Sequence, residues 1–366
     1  MTRAVVIGGG IAGLTIGWQL VRRGAEVRLV SSSRPRASMV AAGMLAPMPE
    51  SASTPSLVRL ASQALHHYSA FLATLAEDTA REVGFRRCGV LRVAADERQR
   101  ASLREEVGTY EAAGLPSQWL DPRSVRRIAP GLPADVAGGL VSFDEGQVHA
   151  GWLLEALEEA AIRRGLVAMT GEVAQIRSHA GHVEVLLAGG ERMPADCVIL
   201  SAGSWSAALG GAAVPIRPLQ GQLLAFEDVT GPEPILYSGQ DYLLSKPDGT
   251  VLLGGTMSES GFSVAPDGRA EDLRALLPLL WPELVGRPAA TRVGLRPAAP
   301  DGLPICGPLP GQSAVYVFTG HLRNGFLLCP HGAHLAAREI LDGAREPLFA
   351  TLRPNRFMEP ALPAGG

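Results

Sequence analysis

Cysteine is scarce in this chain of 366 residues, and what there is lies scattered. Cys88, Cys197, Cys306 and Cys329 are far apart, with no C-x-x-C pair. That argues against a zinc or disulfide framework; no metal site is expected, and a reducing cytoplasm is the expected compartment. Long apolar runs are also missing. No stretch reaches the roughly eighteen consecutive apolar residues of a membrane-spanning helix. The apolar N-terminus does not read as a secretory leader, because its glycines fall inside a strand–turn–helix pattern with no small-residue cleavage site after it. Nor is there an excess of one charge. The 33 Lys and Arg stand against 36 Asp and Glu, a net charge of −3. That balance argues against nucleic acid or an acidic membrane surface as a partner.

Glycine and proline, in contrast, are plentiful, at 43 and 28. They suit many turns and close backbone approaches to a ligand. The length exceeds that of a usual single core, so two intertwined domains are expected.

The organising stretch is the first thirty-odd residues. Arg3 to Ile7 is apolar after its first residue, Gly8-Gly9-Gly10-Ile11-Ala12-Gly13 follows, and an apolar helix runs to about Arg23. Val27 to Val30 then reads as a second strand. Gly8, Gly10 and Gly13 fit G-x-G-x-x-G inside a βαβ unit, the context that gives this motif its meaning. Gly8 permits the tight turn, Gly10 lets backbone approach a pyrophosphate, and Gly13 lets helix pack against strand. The free N–H groups and dipole at the helix start favour the phosphates. One element is absent. An acidic residue usually closes the second strand and accepts from the ribose hydroxyls. Ser31 stands there, followed by Ser32, Ser33 and Arg34. Serine beside arginine also suits a 2′-phosphate, so this motif alone leaves FAD, NAD and NADP open.

Further along, Met39 to Pro47 is small and apolar, fit for backbone passing a flat ring. Helical spacing predicts a helix over 55–83, carrying a solvent-facing pair, His66 and His67. A strand is predicted over 85–93 with Gly89 inside it, a charged helix over 96–113, another from Asp121 to Ile128, and a strand over 137–143. His149 reads as the cap of a helix over 151–164. Short strands at 167–170, 173–178 and 183–187 precede a buried strand ending in Ser201-Ala202-Gly203, a second glycine approach to a ligand. Residues 214–260 are strand-rich with turn signals such as Pro247-Asp248-Gly249, and read as a mostly antiparallel roof over a cofactor. A helix is predicted over 271–281 and a last one over 331–341. The Pro- and Gly-rich tail after Pro354 reads as frayed.

Seven motifs now align in order over nearly the whole chain. They are Val5 to Gly13, Ala41-Ala42-Gly43-Met44-Leu45, Ser201-Ala202-Gly203-Ser204-Trp205-Ser206, Pro218-Leu219-Gln220-Gly221-Gln222, Gly294-Leu295-Arg296-Pro297, Asp301-Gly302-Leu303-Pro304 and Gly320-His321-Leu322-Arg323-Asn324-Gly325. Together they resemble the D-amino-acid oxidase superfamily of flavoproteins, and within it the glycine oxidases of thiamine (thiazole) synthesis. The resemblance implies an α/β fold, with a Rossmann-like FAD-binding domain and an interleaved antiparallel-sheet substrate domain. The first would take 1–83, 145–215 and 290–366, the second 84–144 and 216–289. It implies non-covalent FAD, since no cysteine falls where covalent relatives attach it, and oxidation of a small amine or amino acid by O2. It further implies a homo-oligomer.

Residue by residue, the resemblance makes Arg296 the carboxylate-binding arginine, Tyr242 the active-site tyrosine and Arg323 a second arginine near the pocket. Met257, Gln240 and Met44 match pocket-wall positions, Gln240 standing where a glycine oxidase has histidine. Cofactor contacts are implied for Gly8, Gly10, Ile11, Ala12, Gly13, Ser31, Ser32, Ala42, Gly43, Met44, Val173, Ala202, Gly203, Trp205, Arg296, His321, Arg323, Asn324, Gly325 and Phe326. Ser31 replaces the family's ribose-binding glutamate, so Ser31 or Ser32 with backbone N–H groups is expected to hold the ribose. Cys306 and Cys329 read as buried strand and turn residues.

The residue types suit the chemistry. An arginine fork makes two charge-assisted bonds to a carboxylate and fixes its angle. A neutral amine losing hydride from Cα to a flavin needs no strong base, in keeping with the lack of an evident acid/base dyad. Read singly, Arg296 is sooner a structural ion-pair residue under the Pro297 turn, and Tyr242 also reads as a core residue. Competing readings are a flavin dehydrogenase of D-proline, D-alanine or sarcosine, an NADP-binding reductase, and a flavin-binding protein without turnover.

Overall fold

The computed structural model describes residues 1–51, 54–179 and 182–358. Two sheets organise it. The first has six strands in the order Ile305–Leu309, Gln312–Thr319, Cys197–Leu200, Arg3–Ile7, Glu26–Ser31 and Val167–Thr170. All neighbours run parallel except the Ile305–Leu309 hairpin partner. Such strands are covered on both faces, which explains their unbroken Val, Ile and Leu. The helices Ile11–Arg22, Pro55–Ala76, Ala150–Arg163 and Gly325–Asp342 pack together over one side. A three-stranded antiparallel sheet, Val173–His179, His182–Leu187 and Arg192–Ala195, shares a core with the strands on the other.

The second sheet has eight strands, ordered Ala290–Ala298, Arg217–Phe226, Val251–Gly254, Asp241–Ser245, Ile235–Ser238, Val90–Ala94, Gly138–Ser142 and Ser117–Leu120. Only the Ile235–Ser238 and Val90–Ala94 pair is parallel. The fold is thus α/β, a mainly parallel sheet beside a largely antiparallel one. The expected segment boundary at 290 needs moving, because Ala290–Ala298 is hydrogen-bonded along Arg217–Phe226 in the larger sheet. The chain re-enters the smaller sheet at Ile305.

Several predicted elements have different limits. The helix expected over 55–83 ends at Ala76. Just beyond it, the buried Asp78 accepts from Trp18 Nε1 at 2.8 Å and Arg164 Nε at 2.8 Å, and pairs with Arg22 at 3.0 Å. These tertiary bonds replace further helical turns. The strand expected over 85–93 begins only at Val90. Gly89 has φ +74°, off the strand region, and a Cβ there would lie 2.8 Å from Ser142 O. The helix expected over 96–113 is two, Glu97–Glu105 and Val107–Ala112, with Asp96 capping the first through Gln99 N. The last helix begins at Gly325, not 331, and passes through Pro330 in its second turn. Cys329 is therefore a helix residue, while Cys306 is in a strand as expected. Pro354–Phe357 forms a short 3-10 turn, and the rest of the tail expected to fray, from 359 on, lies outside the described residues. His149 caps Ala150–Arg163, its Nδ1 accepting from Trp152 N at 3.2 Å. No helix among the described residues is long and apolar enough to cross a membrane.

Candidate active site

Between the two sheets runs a cleft of about 420 Å³, within the roughly 300–1,000 Å³ usual for small-ligand sites. Its floor is the C-terminal edge of the parallel strands, where ligands of open α/β sheets bind. Gly8, Gly10, Ile11 and Ala12 line it at the start of the first helix. Gly8 has φ +115°, and a Cβ on it would strike Ser201 O at 2.3 Å, so the turn tolerates only glycine. Gly13 does not line the cleft; a Cβ there would lie 1.8 Å from Gly8 O, so its place is the helix–turn contact. The N-cap residue, Gly10, has no side chain to cap the helix, and no acid stands in its first turn, leaving its positive end to the cleft. Ser38 Oγ accepts from Ile11 N at 3.1 Å, and Arg36 Nη1 donates to Gly9 O at 2.8 Å. Of the two cleft-lining arginines, Arg36 thus stands at this turn, while Arg34 pairs with Glu172.

Ser31, Ser32 and Val173 line one end of the cleft, with Ala202, Gly203 and Trp205 along its side. Ala42, Gly43 and Met44 line the wall toward the large sheet. A buried lysine that the sequence did not flag holds that wall. Lys246 Nζ donates to Ala42 O at 2.7 Å, Val148 O at 2.7 Å and Gln147 Oε1 at 2.8 Å. Burial pulls its pKa down to about 7, while three acceptors match the three donors of an ammonium.

Beneath the large sheet the cleft ends in a charged cluster. Arg296 arrives on Ala290–Ala298 and Tyr242 on Asp241–Ser245. Two glycines hollow out their space: a Cβ on Gly221 would lie 2.0 Å from Arg296 Nη1, and one on Gly254 would lie 2.5 Å from the Tyr242 hydroxyl. Arg296 Nη1 donates to Thr256 O at 2.8 Å. Burial draws its pKa below the usual guanidinium range, an effect that Tyr242 opposes and Arg323 reinforces. Burial raises Tyr242, which stays a neutral phenol.

Arg323 reaches the same end from Leu322, whose φ of +47° is uncommon for a non-glycine residue. That left-handed turn points the arginine inward. Arg323 meets Glu50, and Tyr237 donates to the same carboxylate. Glu50 lines the cleft, with its side chain only 2% exposed. An acid in the pocket was not anticipated. It neutralises Arg323, leaving Arg296 without a carboxylate partner among the described residues.

Other expected site residues fall elsewhere. His321, Gly325 and Phe326 line the cleft, but Asn324 is buried behind it, its amide directed at Glu50 O over 3.5 Å. Burial holds His321 down to about 4, so its ring is neutral at neutral pH. Gln240 is exposed and offers only its carbonyl to Arg323, at 3.4 Å. Met257 is 48% exposed and does not line the cleft; it lies one residue before the bridge between Gln220 and Ser258.

The donor set fits an extended dinucleotide: a helix N-terminus and Arg36 at a glycine turn, hydroxyls at one end, and a smooth small-residue wall at the other. The family comparison agrees. The model of the DAO family, FAD dependent oxidoreductase, matches residues 3–339, and the chain belongs to that family. Within it, the chain is similar to the bifunctional protein ThiO/ThiG of Synechocystis sp., 31% identical over 98% of this chain and 54% of that protein. The chain therefore spans about half the length of that relative. It is also 31% identical to glycine oxidase of Geobacillus kaustophilus, over 89% of each chain. The crystal structure of a glycine oxidase from that organism superposes with a TM-score of 0.90 at 27% identity, covering 97% of this chain and 99% of the other. Iminodiacetate oxidase of Chelativorans sp. gives a TM-score of 0.86 at 27% identity, over 96% and 99%. The NADP reading does not survive the family match.

Proposed function

We propose that the chain binds FAD non-covalently in this cleft and oxidises glycine or another small amino acid or amine. O2 is the acceptor and is reduced to hydrogen peroxide; the imine is hydrolysed by water to the oxo acid and ammonia, or is available for thiazole synthesis. One observation carries the reading. Arg296 stands at the end of the cleft beside Tyr242, in a space that two glycines keep open, with no carboxylate of its own among the described residues.

Bound FAD would supply a two-electron acceptor that O2 can re-oxidise. The residues of the chain do the rest. Gly8, Gly10 and the first helix turn hold the pyrophosphate, Ser31 and Ser32 lie at the ribose end, and Ala42 to Met44 form the wall for the ring. Arg296 takes the substrate carboxylate in a forked pair, and Tyr242 adds a neutral donor. Fixing the carboxylate holds Cα in one place and lowers the entropic part of the barrier. Glu50 keeps Arg323 from offering a second carboxylate site, which suits a substrate with one carboxylate. The amine must lose its proton before hydride leaves, and water suffices for that transfer.

The test is direct. The purified protein should carry flavin absorbance, anaerobic glycine or a related small amine should bleach it, and air should release peroxide. Arg296→Ala should lower kcat/KM at least a hundredfold while flavin stays bound. Glycine turnover unchanged in both kcat and KM in that variant would sink the assignment.

A further inference from the structure

The end of the Glu26–Ser31 strand carries serine where a ribose-binding carboxylate is expected, yet a carboxylate stands beside it. Val167–Thr170 runs parallel to that strand at the sheet edge, with Thr170 in register with Ser31. Gly171 N donates to Ser31 O at 3.0 Å. The next residue, Glu172, lines the same end of the cleft as Ser31, Ser32 and Arg34. Neighbouring strands lie about 4.8 Å apart, so a glutamate two residues past Thr170 reaches the space that a glutamate at 31 would otherwise fill. Gly9 leaves room for the side chain at 31: a Cβ on Gly9 would lie 2.8 Å from Ser31 Cβ, with Arg36 Nη1 at 3.5 Å.

Glu172 is also held. Arg34 Nη2 donates to its Oε1, and the Arg34 guanidinium lies 5.6 Å over the Trp205 ring. Arg34, Glu172 and Trp205 come from the turns after three different strands, and all line the cleft. No side chain among the described residues donates to Oε2 of Glu172.

We propose that Glu172 performs the task vacated at position 31. Its free oxygen accepts from a hydroxyl of the adenosine ribose, while Arg34 fixes the carboxylate's orientation. The carboxylate has moved one strand sideways along the sheet edge. This inference rests on the FAD reading above, and it makes Glu172 a binding residue for the adenosine half alone.

FMN lacks that half, which gives the test. Full-length protein stripped of flavin is titrated with FAD and with FMN, and binding is followed by quenching of flavin fluorescence. Glu172 is 51% exposed, so Glu172→Ala should fold. It should weaken FAD about tenfold, the loss of one hydrogen bond to a charged acceptor, and leave FMN unchanged. Glu172→Gln, which keeps an oxygen acceptor, should lose less, and Ser31→Glu added to Glu172→Ala should recover FAD affinity. Unchanged FAD affinity in Glu172→Ala, or an equal loss for FAD and FMN, overturns the proposal. Binding of neither flavin by the wild-type chain would instead overturn the FAD reading.

Discussion

Arg323 and Glu50 face each other inside the cleft, with Arg323 Nη2 donating to Glu50 Oε1 at 2.9 Å and their side chains only 9% and 2% exposed. A pair so enclosed contributes little over an apolar pair, but removing one partner strands the other. Glu50→Gln should therefore cost about 3 kcal/mol of stability, readable in urea unfolding. It should also free Arg323 for a substrate's second carboxylate. The ratio of kcat/KM for iminodiacetate over glycine should rise. A ratio unchanged in a folded, flavin-loaded variant would argue against Glu50 as the group that silences Arg323.

Gly221→Ala probes the other arginine without touching its charge. The new methyl would lie 2.0 Å from Arg296 Nη1, so the guanidinium must move. Misplacement by about 1 Å is worth roughly a hundredfold in rate. We expect that loss in kcat/KM, with flavin absorbance retained. Wild-type turnover would mean that the position of Arg296 does not govern catalysis.

Arg296 was legible in the sequence because it sits in a motif of fixed order, Gly294-Leu295-Arg296-Pro297, and Tyr242 because the resemblance matches it on a regular strand pattern. Glu50 was not. It lies on the short helix Pro47–Ser51, too brief for periodicity, and its partner is 273 residues away. The use of Gly221 and Gly254 shows only once the side chains filling their space are seen. The Rossmann turn was plain from local spacing alone. The limits of the large sheet were less so, since the pairing of Ala290–Ala298 with Arg217–Phe226 is a contact between distant segments.

Glu145 gives a pH signature. It is fully buried. Burial lifts it from 4.5 to about 7, with Glu50 adding to the rise and Met48 N opposing it. A folded pKa above the unfolded one means that the native state binds more protons between those values, so stability falls as pH rises from about 4.5 to 7. The effect is at most on the order of 3 kcal/mol. Glu145→Gln should flatten this slope and exceed wild type in stability at pH 8. Parallel unfolding curves for the two proteins across that range would rule the effect out.

Asp78 is the structural counterpart. Its carboxylate accepts from Trp18 Nε1, Arg22 Nη1 and Arg164 Nε at 2.8, 3.0 and 2.8 Å. Asp78→Ala leaves these donors without it and should cost about 2–4 kcal/mol. Turnover per bound flavin should stay near wild type, since Asp78 does not line the cleft. A drop in turnover per flavin would show that this network reaches the site.

The strand order has a consequence for synthesis. Arg3–Ile7 is made before the other strands of its sheet, but its neighbour Cys197–Leu200 follows nearly two hundred residues later, Arg3 and its partner Asp196 being 193 positions apart. Gln312–Thr319, beyond that neighbour, comes later still. A nascent chain therefore displays its glycine turn long before the sheet beneath it is complete. Pairings this distant in sequence form slowly and leave apolar edges uncovered meanwhile. The floor of the nucleotide cleft is therefore completed only when Gln312–Thr319 has joined the sheet, long after the nucleotide motif itself is made.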